Sequence, residues 1–334
     1  MTKRHAVGAF VVLAALASTL PGCAKSTNAW QGRGGSPRIV VTIPALDNFV
    51  RNVAGKDASV ICLCTDKGGP HHYEYNPQDA MALREADLFF AIGLTLDDKF
   101  ADPMQVESHN ARLRYIKLGE RLPEKLKLKG EEHEDGKDEA KHEHAHGHDH
   151  EHGEFDPHVW LGIAQAKAMV EMIRDELKSV DAAHADDYDK NATAYLKSLD
   201  DLHTYGKNKL KNKKNRKLIA FHESLGYFAK SFDLNIVDAI EVTPGQEPSP
   251  NHLAELIKKA KDNHVHVLAV EPQYPKASAD VVKKEVKNLK FAIVDPLETV
   301  AANEVTEDHK ELKNKDWYEK KMRQNLDALA KELP

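Results

Sequence analysis

Residues 38–63 read RIVVTIPALDNFVRNVAGKDASVICL. Arg38-Ile39-Val40-Val41-Thr42 is a short β-branched run of the kind that forms a strand. Leu46, Phe49, Val50 and Val53 then recur at three- and four-residue intervals, which places them on one face of a helix ended by Gly55. Ala58 to Leu63 returns to strand texture. A strand, a helix and a second strand in so short a stretch predict parallel strands with a helical crossover. The pattern continues outward with a helix over Pro77 to Ala86 and a strand over Asp87 to Ile92 that ends at Gly93.

The same alternation starts afresh in the second half. Lys217 to Phe221, Asn235 to Val242, Val265 to Glu271 and Phe291 to Asp295 read as strands. Helices are expected between them at His222 to Phe232, His252 to Lys261 and Ala277 to Lys287. Two longer helical patterns separate the halves. One runs from Ile163 to Leu177, and the other runs from Asp186 into Lys211 with Tyr188, Ala192, Tyr195, Leu199 and Leu202 as its packing stripe. The predicted fold class is α/β, with two wound α/β lobes joined by a long rigid helix. The expected bounds are 37–185 for the first lobe, 186–213 for the linking helix and 214–334 for the second lobe.

Arg121 to Phe155 interrupts this order with a polar insertion that cannot build a core. Within it, EEHEDGKDEAKHEHAHGHDHEH, residues 131–152, interleaves seven histidines with carboxylates. They are His133, His142, His144, His146, His148, His150 and His152. Imidazole is the commonest side-chain ligand for borderline metals, so a short tract of this composition reads as auxiliary metal contact. An expression tag would be a pure histidine run at a terminus, whereas this tract is internal, acidic and alternating.

The N-terminus carries its own signal. Lys3, Arg4 and His5 precede an apolar run from Ala6 to Leu20, followed by Leu20-Pro21-Gly22-Cys23. This pattern predicts a secretory signal over 1–22. The run is too short for a transmembrane helix of about 20 residues. Leu-x-Gly-Cys resembles a bacterial lipobox, which implies a lipid on Cys23. Residues 25–36, KSTNAWQGRGGS, are polar and rich in glycine and serine, so 23–36 is expected to be a flexible tether. The remaining cysteines, Cys62 and Cys64, are poorly placed for a mutual disulfide and are expected to be buried thiols. A net charge of −6 over 334 residues, with both signs interleaved, gives no reason to expect nucleic acid.

Four residues stand apart by position. His71 follows the second predicted strand, and His158 follows the histidine tract just before a helix. His222 closes the first strand of the second half, and Asp295 closes its last. Wound sheets bind ligands outside the carboxyl ends of their strands, so these residues are placed to converge in a cleft between the lobes.

The quoted motifs resemble one family. Pro70-His71-His72-Tyr73 with Pro77-Gln78-Asp79 is similar to a DPHxYxxxPxD segment, and Asp156-Pro157-His158-Val159-Trp160-Leu161 to a DPHxWL motif. Phe221-His222-Glu223-Ser224, Glu247-Pro248-Ser249-Pro250, Val270-Glu271-Pro272-Gln273, Asp295-Pro296-Leu297 and the helix from Trp317 are similar to its later landmarks. On these residues the chain resembles the TroA/ZnuA-like, zinc- or manganese-binding solute receptors of bacterial ABC importers, over about 37–332. The resemblance implies that His71, His158 and His222 bind Zn²⁺ as a transported ligand, with Asp295 at the fourth position, which water or another acid can also fill in zinc-type members. It implies an exported, lipid-anchored monomer that serves membrane permease subunits, with limited closure between lobes. His72 is the alternative register for the first ligand. Two departures stand out: Gly69 replaces the aspartate of the first DPH segment, and Glu298 replaces the glycine after Asp-Pro-Leu.

The alternatives carry different metals or chemistry. A manganese or iron receptor of the same family would favour a carboxylate at the position of His222. A secreted zinc hydrolase would need an open coordination position and a general base, and HExxH is absent. An adhesin or a storage lipoprotein would use the histidine tract as its main site.

Overall fold

The quoted stretch folds as strand β1 (Arg38–Val41), helix α1 (Pro44–Ala54) and strand β2 (Ser59–Cys62). The computed structural model describes residues 29–65, 68–130, 154–241, 245–306 and 312–334. Cys23 and the tract from His133 to His152 lie outside the described residues. Pro44 opens α1, where its fixed φ suits the first turn and no partner is needed for its missing N–H. Gly55 ends it at φ 71° while its N–H bonds the Arg51 carbonyl.

Helix α2 (Pro77–Arg84) begins with a reciprocal cap between Asn76 and Asp79, and leads to β3 (Leu88–Ala91). Helix α3 (Asp98–Glu107) and β4 (Arg114–Lys117) complete the first unit. The four strands are all parallel in the order β2-β1-β3-β4. Helices α4 (Ile163–Val180) and α5 (Ala185–Leu210) follow. The second unit runs β5 (Lys217–His222), α6 (Gly226–Phe232), β6 (Asn235–Glu241), α7 (Pro250–Asp262), β7 (Val267–Val270), α8 (Ala277–Glu285) and β8 (Lys290–Ile293). Helix α9 (Trp317–Glu332) comes last. Its strands are also all parallel, in the order β6-β5-β7-β8. The two sheets are therefore wound alike.

Period-two alternation sends strand side chains to both faces of each sheet, and both faces are buried. Ile39, Val41, Leu88 and Phe90 from the first sheet share one core with Leu218, Ala220, Val267 and Ala269 from the second. The apolar faces of α1, α4, α5, α6 and α9 fill that shared layer. Val40, Ile61 and Phe89 face outward onto α2 and α3, while Ile219, Phe221 and Leu268 face α7 and α8. At Gly206 the backbone of α5 touches its neighbours, since a Cβ there would lie 2.3 Å from the Phe232 ring and 2.9 Å from Leu326. Among the described residues no helix is long and apolar enough to cross a membrane.

Two expectations change. Ala29 to Ser36 is packed rather than tether-like. Trp30 is 3% exposed in the outer core with Val40, Ile61 and Leu83, and its Nε1 donates to the Ala82 carbonyl at 3.0 Å. Ser36 N donates to the Asp57 carbonyl, and Ser59 Oγ to that of Gly34. Burial of one indole outweighs the polar composition around it. The polar insertion is also shorter than Arg121 to Phe155. Leu122 is buried, Leu126 and Leu128 pack on the shared core, and Lys129 bridges Phe155. Cys62 and Cys64 are buried thiols as expected. They enter different cores because β2 ends at Cys62.

Candidate metal centre

Each candidate ligand is held by a different local device. His71 lies in a single 3-10 turn (Pro70–His72) entered through Gly69 at φ 61°. His158 precedes the 3-10 turn Val159–Leu161 at the entrance to α4. Asp156 Oδ1 accepts from both His158 N (2.9 Å) and His158 Nδ1 (2.8 Å), which sets backbone and ring together. His222 is the last residue of β5, and its Nδ1 lies 2.5 Å from Glu271 Oε1, just beyond β7. The other oxygen of Glu271 accepts from Gln273 Nε2 at 2.8 Å.

The fourth group is Glu298. Its Oε1 lies 3.6 Å from His71 Nε2, 3.3 Å from His158 Nε2 and 3.4 Å from His222 Nε2. All four atoms lie within 4.8 Å of one another. Each is buried without a hydrogen-bond partner, which is costly unless something else binds them. Ligands about 2.0–2.1 Å from a tetrahedral ion sit about 3.4 Å apart, so these spacings fit a zinc-sized cation.

Asp295 does not join this group. Its Oδ1 accepts from Leu297 N at 2.8 Å, and its Oδ2 lies 3.1 Å from Lys321 Nζ on α9. Asn325 on the same helix bonds the Asp295 backbone at both N and O. Asp295 is thereby committed to the turn, in which Leu297 takes φ 61°. The turn carries Glu298 toward the histidines. Trp160 Nε1 donates to the Pro296 carbonyl at 2.8 Å and steadies the same segment. The departure already visible in the sequence, an acid where a glycine was expected, was the available signal for Glu298. His72 is exposed and lies outside the group, its ring against Gly245.

The electrostatics are those of a charged cluster closed to water. Burial pushes His158 down, but Asp156 and Glu298 outweigh it and carry the imidazole up to about 9. At His222 burial is again outweighed, by Glu271 and Glu298, and the ring is held well above the usual histidine range. His71 is lowered by burial. Burial opposes ionisation of Glu298, yet the three imidazoles keep its carboxyl well below the usual range. A divalent ion entering here replaces protons as the partner of the carboxylate.

The fold and the centre define a class, an α/β protein of two wound halves with a buried group of three nitrogens and one oxygen that could hold a cation. The family model for the zinc-uptake complex component A periplasmic matches residues 39–332, and the chain belongs to that family. It is 28% identical over 325 residues to the high-affinity zinc uptake system protein ZnuA of Bacillus subtilis (strain 168), covering 96% of each. It is 27% identical over 298 residues to the zinc-binding protein AdcA of Streptococcus pyogenes serotype M1, covering 88% of this chain and 56% of that one. The chain thus spans about half the length of the first such relatives. A crystal structure of ZnuA superposes with a TM-score of 0.70 at 26% identity, over 90% of this chain and 100% of that one. The family and α/β fold read from the motifs are the ones found.

Proposed function

We propose that the protein is a zinc receptor that binds one Zn²⁺ through His71, His158, His222 and Glu298 and passes it to an ABC permease. The observation that carries this reading is the convergence of four buried, partnerless ligand atoms. Three imidazoles and one carboxylate suit a borderline, tetrahedral ion better than manganese, which prefers a harder oxygen set. The zinc named in its relatives supports the same choice. Export through residues 1–22, a lipid on Cys23, a monomeric state and weak extra ions on the histidine tract belong to this proposal.

An all-protein set of four ligands also argues against a hydrolase, because a catalytic zinc keeps one position for water. Calorimetric titration of the metal-free chain tests the assignment. One tight zinc per chain is expected, with weaker manganese binding and a large loss of zinc affinity in Glu298→Ala. Equal or tighter binding of manganese would overturn it.

A further inference from the structure

We infer that His71 is the exchangeable ligand of the seat, closing over the ion last and letting go first. This rests on the zinc-receptor reading above. The chain holds two x-Pro-His tripeptides at the centre, Gly69-Pro70-His71 and Asp156-Pro157-His158. In the second, the acid two residues before the histidine bonds both its backbone N–H and its Nδ1. In the first, that position is a glycine, and no hydrogen bond orients the His71 ring among the described residues. Its one ionic neighbour is Glu298, at the longest of the three distances, 3.6 Å. His222, by contrast, has Glu271.

The missing brace cannot simply be supplied at position 69. Gly69 has φ 61° and ψ −176°, a conformation left almost entirely to glycine. Its Cα faces Glu298, whose Cβ would lie 3.6 Å from a Cβ at position 69. Exposure follows the same ranking, with side-chain values of 20% for His71, 6% for His158 and 1% for His222. A carboxylate behind a ligating imidazole fixes its orientation and raises its basicity, and loss of such a partner costs about 10–100-fold in affinity. His158, His222 and Glu298 therefore form a preset three-point seat, and His71 completes it.

The test is zinc affinity, together with stopped-flow zinc transfer to an excess of chromophoric chelator, in the full chain and in His71→Ala, His158→Ala and His222→Ala. His71→Ala is expected to retain one zinc, to lose about 10–100-fold less affinity than the other two, and to release at least about tenfold faster than the unaltered chain. An affinity loss in His71→Ala as large as in His222→Ala, or release at the unaltered rate, overturns the ranking. Ring order parameters from ¹³C relaxation in the metal-free, unaltered chain give a second readout that needs no folded variant at the other positions. There the His71 ring should move more than those of His158 and His222, and equal rigidity overturns the inference. Failure of the unaltered chain to bind zinc would instead defeat the receptor reading itself.

Discussion

The two halves bury the same arrangement at the same point of their winding, and only one of the two becomes a site. In the first sheet the residue after β1, Thr42, donates to Asp97 Oδ2 at 2.6 Å from beyond β3, and Ile92 N and Gly93 N complete the carboxylate's bonds. In the second sheet the end of β5, His222, meets Glu271 from beyond β7 at 2.5 Å. Each pair occupies the crevice at which strand order reverses. Both carboxyls are pushed up by burial, that of Asp97 to about 6. The Thr42 hydroxyl gives its one proton to the acid and carries no second heteroatom on a far side, so the Thr42 pair offers nothing beyond itself. An imidazole has a second nitrogen on its far side, so the His222 pair presents Nε2 to the cation seat. A switch-point carboxylate makes a site only when its partner has a functional atom left over.

The largest difference should come from deleting the two partners. His222→Ala should lower zinc affinity by more than the ~10–100-fold that loss of an outer partner costs, whereas Thr42→Val should leave it unchanged. Zinc titration of both variants checks this, and an equal loss would erase the distinction. The next effect is on stability. The folded chain holds the Asp97 proton up to about pH 6, against 3.8 unfolded. Asp97 therefore binds more of a proton in folded molecules between those values, and its own contribution to stability falls as pH rises through that window, by about 3 kcal/mol. Urea unfolding at pH 4 to 7 should show stability falling more steeply with pH in the metal-free chain than in Asp97→Asn, and parallel profiles would refute the assignment.

Glu271→Gln keeps the shape of the second pair and removes its charge. Zinc affinity should drop about 10–100-fold, or about 1.4–2.7 kcal/mol, with little change in the unfolding midpoint of the metal-free chain. The smallest effect concerns the layer that both halves share. Gly206→Ala gains about 1 kcal/mol of helix propensity but drives a methyl into the Phe232 ring. A net destabilisation of about 1–2 kcal/mol is expected by urea unfolding, and a stabilised variant would show that α5 can shift on its neighbours.

What was legible in the sequence was what periodicity and position record. Ile39 to Leu63 announced strand, helix and strand, and His71, His158 and His222 stood at strand ends or before a helix. Less could be read where local signals conflict with the fold. Helix α3 contains Pro103 in its interior, and β4 carries exposed or half-exposed Arg114 and Lys117, so neither looked like its element. The choice between Asp295 and Glu298 was only hinted at, by an acid where a glycine was expected, because it depends on which acid the turn and α9 consume. Lys321 and Asn325 lie far along the chain from both. Trp30 was hidden by its glycine-rich surroundings, since a single indole leaves no periodic trace.

That buried indole also sets a length. Six residues lie between Cys23 and Trp30, and the seven steps from one to the other span at most about 25 Å when fully extended. With a lipid on Cys23, as proposed, the first half could turn beside the bilayer but not drift from it. A partner in the same membrane would then be met by a search within that thin layer rather than through the bulk. Substituting Trp30 would lengthen the leash and dilute that encounter without touching a single ligand.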